Sequence, residues 1–135
     1  MKRFLGTAAA TVALATTSLA VVAVAHTASY DSTISAHFQR GHGAAADVFS
    51  GQVISAKAPC QHRRVRLLQR QQGGSNLLMG TDRTDKVGSW EIDLTPAATG
   101  TYFAKAPKRV LRTTAAHVHI CNPAVSQDVK VKNKP

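Results

Sequence analysis

His117 and His119 are two residues apart. On an extended strand such residues project to the same side, so both imidazoles could reach one metal ion or both could face water. Two cationic runs offer different chemistry. His62 with Arg63, Arg64 and Arg66 lies beside Cys60, and Lys105, Lys108, Arg109 and Arg112 follow further on. Either run could hold sulfate, phosphate or carboxylate groups, or form a solvated face. The seven carboxylates are scattered; Asp82 and Asp85 are the nearest loop pair, and neither has an evident partner for acid–base work. No G-x-S-x-G elbow, P-loop or glycine-rich dinucleotide turn occurs. His26, His37 and His42 form a loose trio without ligand spacing. No catalytic constellation stands out, and no cofactor is expected.

The elements that position these groups begin after an export signal. Lys2 and Arg3 precede an uncharged stretch from Phe4 that ends in Ala23-Val24-Ala25. A positive start, an apolar run and small residues before a cut make a secretory signal peptide, residues 1–25. Ala20 is a second possible cut. An uncleaved anchor is the alternative, since about 20 apolar residues can span a bilayer. Cleavage after Ala25 leaves residues 26–135, the size of one domain. Losing Lys2 and Arg3 takes the formal net charge from +10 to +8. No second apolar stretch is long enough to cross a membrane, so the mature chain is expected to be secreted or extracytoplasmic.

Two cysteines in an exported domain are most simply paired, Cys60 with Cys121, and neither lies in a C-x-x-C motif. The bridge closes a loop of about 60 residues, which chain entropy values on the order of 4 kcal/mol.

Residues 26–47 are rich in Ser, Ala, His and Gly with little periodicity and read as a flexible leader. From residue 48 to 135, short β-branched and aromatic runs between turn residues predict a single all-β domain, a seven-stranded β-sandwich. The strands expected are Val48–Ser55, Arg64–Arg70, Leu77–Thr81, Ser89–Leu94, Gly100–Ala106, His117–Cys121 and Val125–Val131. In Trp90-Glu91-Ile92-Asp93-Leu94 the apolar residues share one face and the acids the other. Val65 and Leu67 likewise point inward between outward arginines. The expected core is Val65, Leu67, Trp90, Ile92, Leu94 and Tyr102. If Val118 and Ile120 are also core, Cys121 must pair at the sheet margin with Cys60, in the loop after the first strand.

The order F-S-G-Q-V (Phe49–Val53), Cys60, R-R-V-R-L (Arg63–Leu67), T-D-K-V-G-S-W (Thr84–Trp90), G-T-Y-F-A (Gly100–Ala104), Cys121 and A-V-S-Q-D-V-K-V (Ala124–Val131) resembles prealbumin-like sandwiches of bacterial secreted proteins. These are akin to transthyretin-like, carboxypeptidase regulatory-like and Cna B-type domains. The resemblance implies an accessory, adhesive or structural module. Cna B-type domains often carry a Lys–Asn isopeptide, for which Lys57, Asn122 and Glu91 would be the candidates. Arg112 followed by His117-x-His119 also resembles the R-x-x-H-x-H stretch of intradiol dioxygenases. That likeness implies ferric iron held by His117 and His119, with Tyr102 supplying a tyrosinate.

A charge of +8 attracts anionic polymers. Nucleic-acid readers add aromatic platforms. The mature chain has only Tyr30, Phe38, Phe49, Trp90, Tyr102 and Phe103, several of them at core positions. Specific nucleic-acid binding is therefore not expected. The reading is a non-catalytic secreted module with a structural or interaction role, its partner an anionic extracellular or envelope polymer or another protein. The alternative is the iron enzyme.

Overall fold

The computed structural model describes residues 25–133, so the expected signal peptide, apart from Ala25, lies outside the described residues. Among these the protein is all-β. In chain order the strands are β1 (His26–Tyr30), β2 (Ser32–Ile34), β3 (His37–Gln39), β4 (Asp47–Ser55), β5 (Arg64–Arg70), β6 (Asn76–Arg83), β7 (Ser89–Leu94), β8 (Gly100–Ala106), β9 (Arg109–Thr114), β10 (His117–Cys121), β11 (Ala124–Val125) and β12 (Val129–Val131). A short 3-10 turn, Ala58–Gln61, follows β4. No helix among the described residues is long and apolar enough to cross a membrane.

The first sheet is centred on β4. Strand β7 runs antiparallel along one edge, from Asp47↔Leu94 to Gln52↔Ser89. Strands β2 and β3 share the other edge in one continuous register, Ser32↔Ser55 through Gln39↔Val48. Where they meet, the Ser35 carbonyl presses on Gly51. A Cβ there would lie 1.9 Å from that oxygen, so the position requires glycine. The second sheet runs β11–β8–β5–β6, with β12 also on β8. A third sheet sets β1 parallel to β10 and β9 antiparallel beyond it.

Core residues come from the inward positions of the first two sheets. Phe49 of β4 meets Tyr102 of β8 with ring centroids 4.8 Å apart, and Phe38 packs on Phe49 at 4.9 Å. Val65, Leu67, Trp90, Ile92 and Tyr102 are buried as expected, and Leu94 packs half-buried against their cluster. Each large apolar side chain removed from water contributes about 1.5–3 kcal/mol. The turn into β7 is built on Asp85, whose Oδ1 accepts from Val87 N and Ser89 N, both at 2.9 Å. Gly88 there has φ +83°.

Three expectations need correction. Residues 26–47 are no leader through most of their length, since three strands occupy 26–39. Ile34 and Ala36 are buried and Phe38 packs against the core; this short alternation is masked by Ser, Thr and His around it. The segment Val125–Val131 is two strands. Between them Ser126 takes over the ladder, its hydroxyl accepting from Ala104 N at 2.8 Å while its own N–H donates to Ala104 O at 2.9 Å. Arg109–Thr114, which falls in none of the expected strands, is a strand.

Candidate functional site

Alternation on β5 sends Val65 and Leu67 inward and leaves Arg64 and Arg66 exposed. Residues directly opposite across a ladder share a face. Arg83 stands opposite Arg64, and Lys105 opposite Arg66. The first pairing depends on a bulge. Near the hairpin turn Arg70 faces Asn76 and Leu68 faces Leu78, a register that would carry Asp82 opposite Arg64. A one-residue shift between Leu67 and Leu68 brings Arg83 there instead, re-aiming a side chain as bulges do. Asp82 is left opposite Val65, where its carboxylate accepts from the Glu91 and Arg83 backbone N–H groups, both at 2.7 Å.

Lys108, between β8 and β9, and Arg109, the first residue of β9, close the other side of this surface. The result is a cleft of about 510 Å³ lined by His62, Arg63, Arg64, Arg66, Arg83, Thr84, Pro107, Lys108 and Arg109, with no carboxylate among its lining residues. Arg109 is fixed by donating to the His62 and Pro59 carbonyls. Lys105 flanks the cleft through its pairing with Arg66. Arg112 does not join it, because it sits opposite Val118 in the third sheet. Arg83 escaped the sequence reading; the signal for it is the Gly73-Gly74 turn, from which the hairpin can be counted outward, but only with the bulge included.

Arg63, expected to bind an anion, is only 3 % exposed. Its guanidinium donates to Ser32 Oγ (3.3 Å), the Cys60 carbonyl (3.5 Å), the Ala106 carbonyl (3.2 Å), the Pro107 carbonyl and the Asn122 carbonyl (3.0 Å). Its pKa is lowered, first by burial and then by the charge of Arg109. Arg63 therefore forms the floor of the cleft and gathers backbone carbonyls around the disulfide. Cys60, in the 3-10 turn, is bonded to Cys121 at the end of β10, Cα–Cα 5.4 Å. The bridge ties the third sheet to the loop after β4, while Val118 and Ile120, whose burial in the core was the condition for a pairing at the sheet margin, are only half-buried and stand outside the core cluster.

The histidine pair belongs to a different surface. On β1 and β10 the His26 ring lies 5.9 Å from that of His117 and 6.4 Å from that of His119, and Tyr30 meets His119 edge-on at 5.5 Å. Burial lowers the His119 pKa, and the charges of Lys57, His26 and His117 add to it. Tyr102 is not part of this group. It is buried in the second sheet, its hydroxyl donating to the Ala98 carbonyl at 2.7 Å, and its pKa is raised, chiefly by burial. The structure thus separates the tyrosine from the His117–His119 pair that the dioxygenase likeness joined to it. His37, on β3, and His42, in the loop after it, do not join His26 in the third sheet. Lys57 lies over the Tyr30 ring at 5.4 Å, and Asn122 donates its amide to Asp31 at 2.7 Å.

An open groove of guanidinium and ammonium groups can bind oxyanions, bidentately where arginines pair. No protein-family model matches this chain, and no curated protein or solved structure matches it either.

Proposed function

We propose that the chain is a secreted, non-catalytic β-sandwich module of the prealbumin-like kind, which binds an anionic polymer of the envelope or extracellular space through the basic cleft. The observation that carries this reading is the pairing of Arg64 with Arg83 and Arg66 with Lys105 beside Lys108 and Arg109, with no acid lining the groove. Like charges directly opposite on a sheet are destabilising, and a bound polyanion relieves the repulsion. Two sheets over one core support the sandwich assignment, and a disulfide suits an oxidising compartment.

The test is retention on heparin, a sulfated polysaccharide, with elution by salt. Screening weakens contacts between exposed charges, so the native protein elutes at elevated salt. Arg64→Glu, Arg83→Glu and Lys108→Glu should each elute earlier, while Arg112→Glu in the third sheet should not. An equal shift from Arg112→Glu would mean diffuse charge and would remove the cleft from the account. Stoichiometric ferric iron in the purified protein, lost in His119→Ala, would instead favour the enzyme reading.

A further inference from the structure

We propose that the outer face of the second sheet docks on an anionic lipid bilayer, with its cations against the headgroups and Leu78 and Val125 inserted among them. A bilayer is a different partner from a soluble polymer, and the two would share only the cations of the cleft.

The face is built in rows, because residues directly opposite across a ladder project to the same side. One row sets Thr81, Arg66, Lys105 and Val125 side by side from β6 to β11. The next sets Leu78 beside Leu68 and Leu68 beside Phe103. Phe103 lies outside the core cluster, yet it is only 5 % exposed. The Arg70 guanidinium covers it, 4.4 Å from the ring centroid, and is held by Asp128 at 2.8 Å. Beyond that row Lys130 is exposed opposite Thr101. An apolar row is thus flanked by cations on both sides, Arg66 and Lys105 on one, Arg70 and Lys130 on the other.

Leu78 on β6 and Val125 on β11 stand at the two margins of this face, 52 % and 56 % exposed. Aliphatic side chains uncovered among cations match a membrane interface. There apolar groups sit at the boundary of headgroups and acyl chains, and basic groups are drawn to anionic lipid. Arginine and lysine stems lie along apolar surface while their charged heads reach outward, so Arg66, Arg70 and Lys105 can border an inserted row and still meet phosphates. A sheet face several strands wide fits an extended surface, whereas the cleft at its end fits one chain of a polymer.

The experiment is co-sedimentation of exported protein, shown by intact mass to have lost its N-terminal apolar stretch, with vesicles of phosphatidylcholine and phosphatidylglycerol in equal parts. Binding is expected there and not on phosphatidylcholine alone. In Leu78→Ser/Val125→Ser the partition onto anionic vesicles should fall about tenfold or more, with elution from heparin unchanged. Ile54→Ser/Val110→Ser removes similarly exposed side chains from the first and third sheets and should bind as the native protein does. Arg66→Glu/Lys105→Glu should weaken both readouts. Salt does not screen apolar insertion, so part of the vesicle binding should survive the salt that elutes the protein from heparin. Thermal melts establish that the variants are folded. Undiminished binding in Leu78→Ser/Val125→Ser overturns the docking face, as does an equal loss in Ile54→Ser/Val110→Ser. Equal binding to neutral vesicles, or complete release at the heparin-eluting salt, overturns it too. Retention on heparin without vesicle binding overturns it and leaves the polymer reading standing, whereas loss of both removes the cleft as well.

Discussion

The two larger sheets and the third sheet are held by different physics. Between the larger sheets lies an apolar core in which Phe49, Val53, Val65, Leu67 and Tyr102 are fully removed from water. The third sheet has little of this: Val110 is 50 % exposed, and of β1 only Ala28 and Tyr30 are even half-buried. It is attached by the Cys60–Cys121 bond, by the carbonyls that Arg63 gathers, and by Asn122, which donates from its backbone to Tyr30 O at 2.9 Å and from its side chain to Asp31. One region is held by non-directional burial, the other by a few directional links. Substitutions should therefore act globally in the first and locally in the second.

The largest effect should come from Trp90→Ala. Truncating a buried aromatic costs about 3–5 kcal/mol, enough to unfold much of a domain this size. Its neighbour Glu91 is exposed on the opposite face, and Glu91→Ala should change stability by no more than about 0.5 kcal/mol. Urea melts of both variants test this, and equal small effects would overturn the assigned register.

Removing the bridge, in Cys60→Ser/Cys121→Ser, should cost about 2–4 kcal/mol. The sharper readout is hydrogen exchange: protection should fall first in β1, β9 and β10, with β4 and β5 still protected. Uniform loss would show that the two regions open as one unit and would break the comparison.

The smallest effect is a pH dependence confined to the third sheet. The pKa of folded His119 is below its unfolded value, so the unfolded chain binds more protons in the window between the two. Stability therefore rises with pH through that window and is lost on acidification below the ordinary histidine range, near pH 6.5. Thermal melts across this range should show the loss, and His119→Asn should flatten it. The groups that face His119 are His26, His117, Lys57 and Tyr30, and a variant that keeps the slope would show that His119 is not its source.

Much of the fold was legible where alternation was strong. Arg64–Arg70, Ser89–Leu94, Gly100–Ala106 and His117–Cys121 are strands with the expected ends, and apolar residues mark their buried positions. The bridge followed from cysteine count and the expected compartment. Strands β1 to β3 were hidden because their inward positions are small or few. The cleft was half visible. Its cations form local runs, but Arg83 arrives through a long-range pairing set by a bulge, and burial of Arg63 is decided by carbonyls from distant segments. Neither leaves a local pattern. The His26 contacts depend on a parallel pairing between the two ends of the domain, which no window of sequence contains.

That parallel pairing also sets a timetable. Strand β1 leaves the ribosome early, yet its partner β10 is made almost last, and the Asp31–Asn122 contact beside them spans 91 positions. Closing so long a loop is entropically slow, and it must precede any gain from the contacts it allows. The β5–β6 hairpin can zip locally while His26–Tyr30 still waits. The third sheet therefore forms last, and the cysteines meet only when the C-terminal part of the chain has arrived.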